Sequence, residues 1–176
     1  MDLSFPFASK REIVRRYAEH LRVIGQALEA RDLAVHEIVH LSEWYVIQGI
    51  PEPTDSLRSK VRHWLRRLRH DAPAQSFTLD LTEIEKLSEA GRARRATPGR
   101  LTDLASVSNS LRTIGAYLDA REVELLELKK GGASVTLWYR DKGGRNRKEQ
   151  RNISSFSQLC VKLLERRRET QAPSKA

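Results

Sequence analysis

The stretch LRVIGQALEAR at residues 21–31 recurs ninety residues later as LRTIGAYLDAR at residues 111–121. Seven of the eleven positions are identical, and Glu29 is matched by the equally acidic Asp119. A generic amphipathic helix would explain the shared leucines, but not also the shared Ile-Gly pair and the shared Ala-Arg ending. Because internal repeats reveal fold organisation directly, we predict a duplication in which two units follow one plan.

Each copy opens with a predicted helix. Apolar residues recur at i, i+3 and i+4 spacing, at Ile13, Tyr17, Leu21, Ile24 and Leu28 in the first copy and at Leu101, Leu104, Leu111, Ile114 and Leu118 in the second. This spacing is typical of one buried helix face. Gly25 and Gly115 occupy the same place in both helices, although glycine costs up to ~1 kcal/mol in a helix interior. We therefore expect another backbone to approach closely there, with the two helices packing together.

A β-hairpin is predicted after each helix. In the second copy, residues 123–130 and 133–139 flank a double glycine, a pattern typical of strand, turn and strand. In the first copy, residues 34–41 and 44–49 fill the same places. The two hairpins either pair into one sheet or pack side by side.

A closing helix is predicted for each unit from apolar stripes over residues 56–70 and 156–164, which match at an offset of one hundred. The second unit is therefore longer, and the turn-forming residues 141–144 favour a third strand there, at roughly 146–152. The predicted fold class is α+β: two pseudo-symmetric α-β-β-α units, the second with a possible third strand, and antiparallel hairpins packed with helices. The predicted divisions are 1–70 for the first unit, 71–100 for a helical insertion and basic linker, 101–170 for the second unit and 171–176 for a disordered tail.

The chain is strongly basic, with a formal net charge of +9 over 176 residues. Residues 1–55 carry six Lys/Arg against nine Asp/Glu, so all of the excess lies further along the chain. Such a field concentrates polyanions, so nucleic acid, an anionic membrane surface or an acidic protein are the candidate partners. No apolar run is long enough to span a membrane. The lone Cys160 lies in an apolar helical pattern and is expected to be buried, and we expect a cytoplasmic protein.

Three basic segments are the candidate nucleic-acid contacts. The first is a helix with Arg58, Lys60, Arg62, Arg66, Arg67 and Arg69. The second is a strip with Arg92, Arg94 and Arg95, which extends to Arg100. The third is a hairpin with Arg140, Lys142, Arg145, Arg147, Lys148 and Arg151. Guanidinium groups favour bidentate phosphate contact, and a solvated surface with no ligand is the alternative.

Two aromatic pairs, Trp44-Tyr45 and Trp138-Tyr139, lie in the second strand of each hairpin. Because strand neighbours alternate, one ring of each pair should face the core and the other the open sheet face. An exposed ring among cations is suited to stacking on a base, and packing at the sheet is the simpler alternative.

The string His36-Glu37-Ile-Val-His40 resembles the zinc-metallopeptidase motif over five residues. On a helix this spacing lets two imidazoles hold Zn²⁺ while the glutamate acts as general base. We predict a strand here, where that geometry fails, and the second copy has Leu126 and Lys130 at the matching positions. A zinc-dependent hydrolase is therefore a minor alternative, and no metal, cofactor or catalytic residue is assigned.

The second unit, read as helix, three strands and helix over about sixty-five residues, resembles double-stranded-RNA-binding domains in the order of its elements. The lysine-rich start of the last helix in that family is replaced here by Ser154-Ser155-Phe156. The family's known RNA contacts therefore do not carry over.

These observations favour a non-catalytic nucleic-acid-binding protein that uses a basic helix and hairpin, with DNA and RNA both open. The main alternative is an adaptor or assembly subunit that docks on a larger acidic protein, with arginines and Trp44 or Trp138 as anchors. Either function is compatible with an oligomer or a complex.

Overall fold

A computed structural model describes residues 17–51, 74–93 and 106–171 of the chain. The first half contains α1 (Tyr17–Glu29), β1 (Leu33–Leu41), β2 (Trp44–Pro51), β3 (Gln75–Asp80) and α2 (Leu81–Ala93). The second half contains α3 (Val107–Arg121), β4 (Glu124–Gly131), β5 (Ser134–Arg140), β6 (Asn146–Asn152) and α4 (Ile153–Gln171). The predicted α+β class and the third strand at 146–152 are confirmed.

The six strands form one antiparallel sheet in the order β3-β2-β1-β4-β5-β6. The two hairpins thus pair into a single sheet through β1 and β4, where Ile38 lies opposite Leu128. These two residues are ninety positions apart, so a pseudo-twofold axis passes between them. Both central strands also have an irregular register at the same place, beside His36 in β1 and beside Leu126 in β4.

The helices pack on one face of this sheet. Alternate strand residues point into a shared core with the helices, and those buried in the strands include Val35, Ile38, Tyr45, Ile47, Leu125, Leu128, Val135, Leu137 and Tyr139. Tyr45 and Tyr139 thus face the core, while Trp44 is half-exposed and Trp138 is partly exposed. The predicted alternation of the aromatic pairs is confirmed. Cys160 is also buried in this core, as expected.

The two glycines lie where α1 and α3 touch. A Cβ built on Gly25 would come within 2.4 Å of the Ser108 Cα, and one built on Gly115 within 2.6 Å of the Ala18 Cα. Ser108 and Ala18 are themselves ninety positions apart, so the contact is reciprocal. The close approach of two helix backbones predicted from the sequence is confirmed.

The acidic residue of the repeat caps the other unit's opening helix. Glu29 Oε1 accepts hydrogen bonds from the Ser108 N–H at 2.9 Å and the Ser108 hydroxyl at 3.1 Å. Asp119 accepts from the N–H groups of Tyr17 at 3.0 Å and Ala18 at 2.9 Å. Helix N-termini leave their first N–H groups without intrahelical partners, and a carboxylate there is further favoured by the helix dipole. Each unit therefore completes a helix of the other.

Residues 75–93, predicted as part of an insertion between the units, instead belong to the sheet and the helix layer. In the first half β3 and α2 take the places that β6 and α4 take in the second, since β3 pairs with β2 as β6 pairs with β5. Ile84 in α2 and Phe156 in α4, each the fourth residue of its helix, are both fully buried in the core. The predicted helix at 56–70, the unit boundaries at 70 and 100 and the tail after residue 171 lie outside the described residues.

Candidate nucleic-acid interface

One of the three predicted basic segments can be placed in the fold. Arg140, Lys142, Arg145, Arg147, Lys148 and Arg151 all lie in the described β5–β6 hairpin. Outside the described residues are Arg58, Lys60, Arg62, Arg66, Arg67, Arg69, Arg94, Arg95 and Arg100. Arg92 lies in α2, but its side chain is not among those described. The β5–β6 hairpin is therefore the part of the candidate nucleic-acid interface whose geometry can be described.

Asp141 organises the turn of this hairpin. Its carboxylate accepts hydrogen bonds from the N–H groups of Gly143 and Arg145 at 2.9 and 3.0 Å, and Arg147 Nε donates to it at 3.1 Å. Gly144 supplies the positive φ of 76° that the turn requires. The pKa of Asp141 lies below its usual range because its carboxylate accepts these hydrogen bonds. The largest contribution comes from the Arg145 N–H and the next from the Arg147 guanidinium. The turn thus fixes the register in which β6 presents its cations.

Four of the six basic side chains form ion pairs with nearby acids. Arg140 pairs with Glu124 at 3.0 Å and Arg147 with Asp141 at 3.1 Å. Lys142 similarly pairs with Glu122, and Arg151 with Glu149. The four basic partners are 46–66% exposed, and such pairs contribute only about 0–1 kcal/mol. A phosphate can therefore replace these carboxylates at small cost.

The middle of β6 is anchored to α3 through Glu149. Its Oε2 atom accepts hydrogen bonds from the Tyr117 hydroxyl at 2.8 Å and from Arg121 Nη1 at 2.9 Å. Burial alone would raise the pKa of Glu149, but hydrogen bonds from Arg151 and Tyr117 and the charge of Arg121 hold it below the usual range. Burial, and then the contact with Glu149, raises the pKa of Tyr117 to about 12. This network holds the edge strand against the helix layer.

On the opposite sheet face, Trp138 lies beneath two lysines. The Nζ atoms of Lys148 and Lys129 are 5.0 and 5.9 Å from the centroid of its ring, within the range of cation–π attraction. Lys129 also pairs with Glu37 at 2.8 Å and Glu127 at 2.9 Å. Hydrogen bonds to Lys129 lower the pKa of Glu37. An aromatic ring and two cations thus share one open patch, which we call the Trp138 patch (Lys129, Trp138, Lys148).

Sequence reasoning missed Lys129 as a member of this patch. It lies in β4 opposite Thr136, and Thr136 and Trp138 point to the same face because they are two residues apart in β5. The predicted turn at 131–132 would have placed Lys129 opposite Ser134, four residues from Trp138, whereas the observed register places it opposite Thr136.

The corresponding patch is absent from the described part of the first half. Gln48 holds the position of Trp138, and Ser76 holds that of Lys148. Glu149 is matched by Phe77, whose ring lies 4.5 Å from the Arg31 guanidinium carbon. The two ends of the sheet therefore have different surfaces: among the described residues, two lysines flank the Trp138 ring at the β6 end, whereas one arginine covers Phe77 at the β3 end.

The histidine string lies in β1, so the predicted strand is confirmed. His36 lies at the bulge, and His40 Nδ1 is 3.1 Å from the Leu125 carbonyl oxygen and 3.4 Å from the Tyr17 hydroxyl. On a strand the two imidazoles do not adopt the i, i+4 arrangement of a zinc helix. Within residues 17–51, 74–93 and 106–171, no group of three His, Cys, Asp or Glu side chains is arranged to hold a metal ion.

No protein-family model matches the chain, and neither a curated protein nor a solved structure shows significant similarity to it. None of the helices in the described ranges is long and apolar enough to cross a membrane. The function is therefore argued from the chain's own residues.

Proposed function

We propose that the chain is a non-catalytic nucleic-acid-binding protein whose β5–β6 hairpin contacts phosphates. The Trp138 patch is the observation that carries the proposal. A base can stack on the indole while Lys148 and Lys129, 5.0 and 5.9 Å from its centroid, bind the flanking phosphates. Stacking requires an unpaired base, so single strands are the favoured ligand.

The proposal extends to the basic residues outside the described ranges, which hold much of the net charge of +9. Arginines and lysines on phosphates carry no sequence information by themselves. We therefore expect binding that depends little on sequence and strongly on salt. We place this activity in the cytoplasm. The titration described below compares DNA with RNA.

As part of this proposal, we infer that the two halves descend from one duplicated segment. The reciprocal contacts of Gly25 and Gly115 support this origin, as do the positive φ angles of Asp32 and Glu122, 52° and 56°, at equivalent positions. Divergence of one sheet edge after duplication would explain why only the second half has the aromatic and basic surface.

The test is a fluorescence-anisotropy titration of labelled single-stranded and duplex DNA and RNA over a range of salt concentrations. If about six phosphates are neutralised, log affinity falls with log salt at a slope of roughly −5. Trp138→Ala should lower single-strand affinity by about tenfold, since stacking contributes ~1–3 kcal/mol per base. Trp44→Ala removes a ring from the same sheet face over which none of the described lysines lies, and it is the matched control.

A second pair of variants isolates the charge. Lys148→Gln should reduce the salt slope by about 1, whereas Lys86→Gln, an exposed lysine on α2, should leave it unchanged. A flat salt response of the wild-type protein with every nucleic acid would refute the proposal. Equal losses of single-strand affinity in the Trp138 and Trp44 variants would show that the Trp138 patch is not the binding surface.

Docking on a protein partner is the second candidate. Leu41 and Trp44, 53% and 50% exposed, lie opposite each other at the end of the β1–β2 hairpin. Tryptophan is enriched among the residues that dominate protein interfaces. This function predicts a stoichiometric protein partner that Trp44→Ala releases and Trp138→Ala retains, with no bound nucleic acid in the purified complex.

A further inference from the structure

A half-open cavity of about 110 Å³ lies between α3 and the sheet in the second half. Its aliphatic lining comes from Val35, Val107, Leu111, Ile114, Leu128, Val135 and Ile153, and its polar lining from Ser106, Ser110 and Lys130. Both strands and helices form its walls.

The pseudo-equivalent place in the first half is filled. Tyr17, His20, His40 and Tyr45 occupy it, and their counterparts ninety positions later are Val107, Ser110, Lys130 and Val135. The His40 and Tyr45 rings stack with centroids 4.6 Å apart, and His20 Nδ1 is 3.1 Å from the Tyr45 hydroxyl. Replacement of two tyrosines by valines and one histidine by serine leaves space for a ligand on the other side of the axis.

The filled site also shows how polar atoms are used there. The Leu125 N–H donates to the Tyr17 hydroxyl at 3.1 Å, and the Leu125 carbonyl oxygen lies 3.1 Å from His40 Nδ1. The counterpart of Leu125 is Val35, which lines the cavity. A ligand in the cavity would therefore lie beside Val35, the position equivalent to the Leu125 that Tyr17 and His40 contact in the first half.

Lys130 determines the charge of that ligand. Its side chain is partly buried at the cavity wall, and none of the described acidic side chains forms an ion pair with it. An ammonium group held beside apolar walls favours an anion, because opposite charges attract more strongly where water is excluded.

We propose that this cavity binds a short branched-chain carboxylate, with the apolar body between α3 and the sheet and the carboxylate on Lys130. A cavity of ~150 Å³ admits benzene, so one of about 110 Å³ admits a body of about four or five carbons. So small a ligand binds with a Kd on the order of a millimolar or tighter. The cavity lies on the helix side of the sheet, away from the Trp138 patch, so this proposal does not rest on nucleic-acid binding.

The test uses the whole chain with labelled Ile, Leu and Val methyl groups, titrated with 3-methylbutanoate and followed by NMR. We expect saturable shifts at Ile114 and Leu111, while the equivalent Ile24 and Leu21 in the filled site stay unchanged. The alcohol 3-methylbutan-1-ol should bind about tenfold more weakly because it cannot form a charge-assisted hydrogen bond with Lys130. Acetate should cause no saturable shift because it lacks the apolar body.

Two variants separate the parts of the site. Lys130→Met keeps most of the side-chain volume, and should weaken 3-methylbutanoate about tenfold without affecting the alcohol. Val107→Tyr introduces the ring of the filled site, and should abolish binding of both compounds. The proposal is overturned if wild-type methyl groups show no saturable shift, or if both sites shift alike. Unchanged carboxylate affinity in the Lys130→Met variant would overturn the assignment of a carboxylate.

Discussion

The two halves share a backbone plan but differ in what fills it. Near the axis they match, since each opening helix has a glycine at the contact and an acidic residue that caps the other helix. Away from the axis they diverge, because the first half buries an aromatic and histidine cluster where the second has a cavity. Contacts that serve both halves at once constrain two positions together, whereas a site within one half is free to change alone.

The sheet edges show the same divergence. β3 has the sequence QSFTLD and one acid, whereas β6 has NRKEQRN with three cations. An edge strand exposes unpaired backbone groups, and charged side chains discourage pairing with another chain. The cations of β6 thus protect an edge in any case, so the proposed nucleic-acid surface rests on Trp138 rather than on the number of charges.

The largest expected effect comes from the shared helix contact. Gly25→Ala and Gly115→Ala each gain up to ~1 kcal/mol of helix propensity. Each new Cβ, however, meets backbone of the other helix at 2.4 or 2.3 Å. Overpacking of this kind costs about 3 kcal/mol, so we expect each variant to lose about 2 kcal/mol in the free energy of unfolding. Urea denaturation measures it, and a tolerated substitution at one site alone would break the symmetry of the contact.

A smaller and unequal pair of effects is expected where the halves differ. Tyr17→Val removes a buried ring and leaves the Leu125 N–H without its 3.1 Å partner, which should lower the free energy of unfolding by about 1.5 kcal/mol. Val107→Tyr places a ring where the cavity already has room, so the free energy of unfolding should change by less than about 1 kcal/mol. Thermal unfolding of both variants measures these changes. Equal losses for both variants would mean that the cavity cannot accept the first half's side chain.

The smallest expected effect is the pH dependence that His40 gives to the first half between about pH 5 and 7. Burial lowers the pKa of His40, although its contact with the Leu125 carbonyl opposes the shift. Below about pH 6.5 the unfolded chain binds a proton that folded His40 resists, so stability falls as pH drops through 6.5 towards the folded pKa. The slope is no more than about 1.4 kcal/mol per pH unit.

His40→Leu should flatten that slope in urea denaturation between about pH 5 and 7, because the titrating group is removed. Lys130→Leu, at the equivalent position in the second half, is the matched control and should leave the slope as in the wild type. An unchanged slope in the His40 variant would assign the pH dependence to other groups.

Much of the fold followed from local pattern. The repeat at 21–31 and 111–121 predicted two similar units, the paired glycines predicted a close helix contact, and the β-rich segments around 42–43 and 131–132 predicted hairpins. The structure has all three features. These predictions succeeded because periodicity and turn chemistry act between residues close in the chain.

Only the tertiary structure decided how the units meet and what lies between them. Strand register decides three features that no local pattern specified. They are the pairing of β1 with β4, the place of β3 in the sheet and the position of Lys129 beside Trp138. The cavity depends on the difference between two sets of side chains that meet only after folding. The sequence by itself determined that two α+β units exist and where cations concentrate. Long-range pairing determined which side chains share a surface, because no short stretch specifies its distant neighbour.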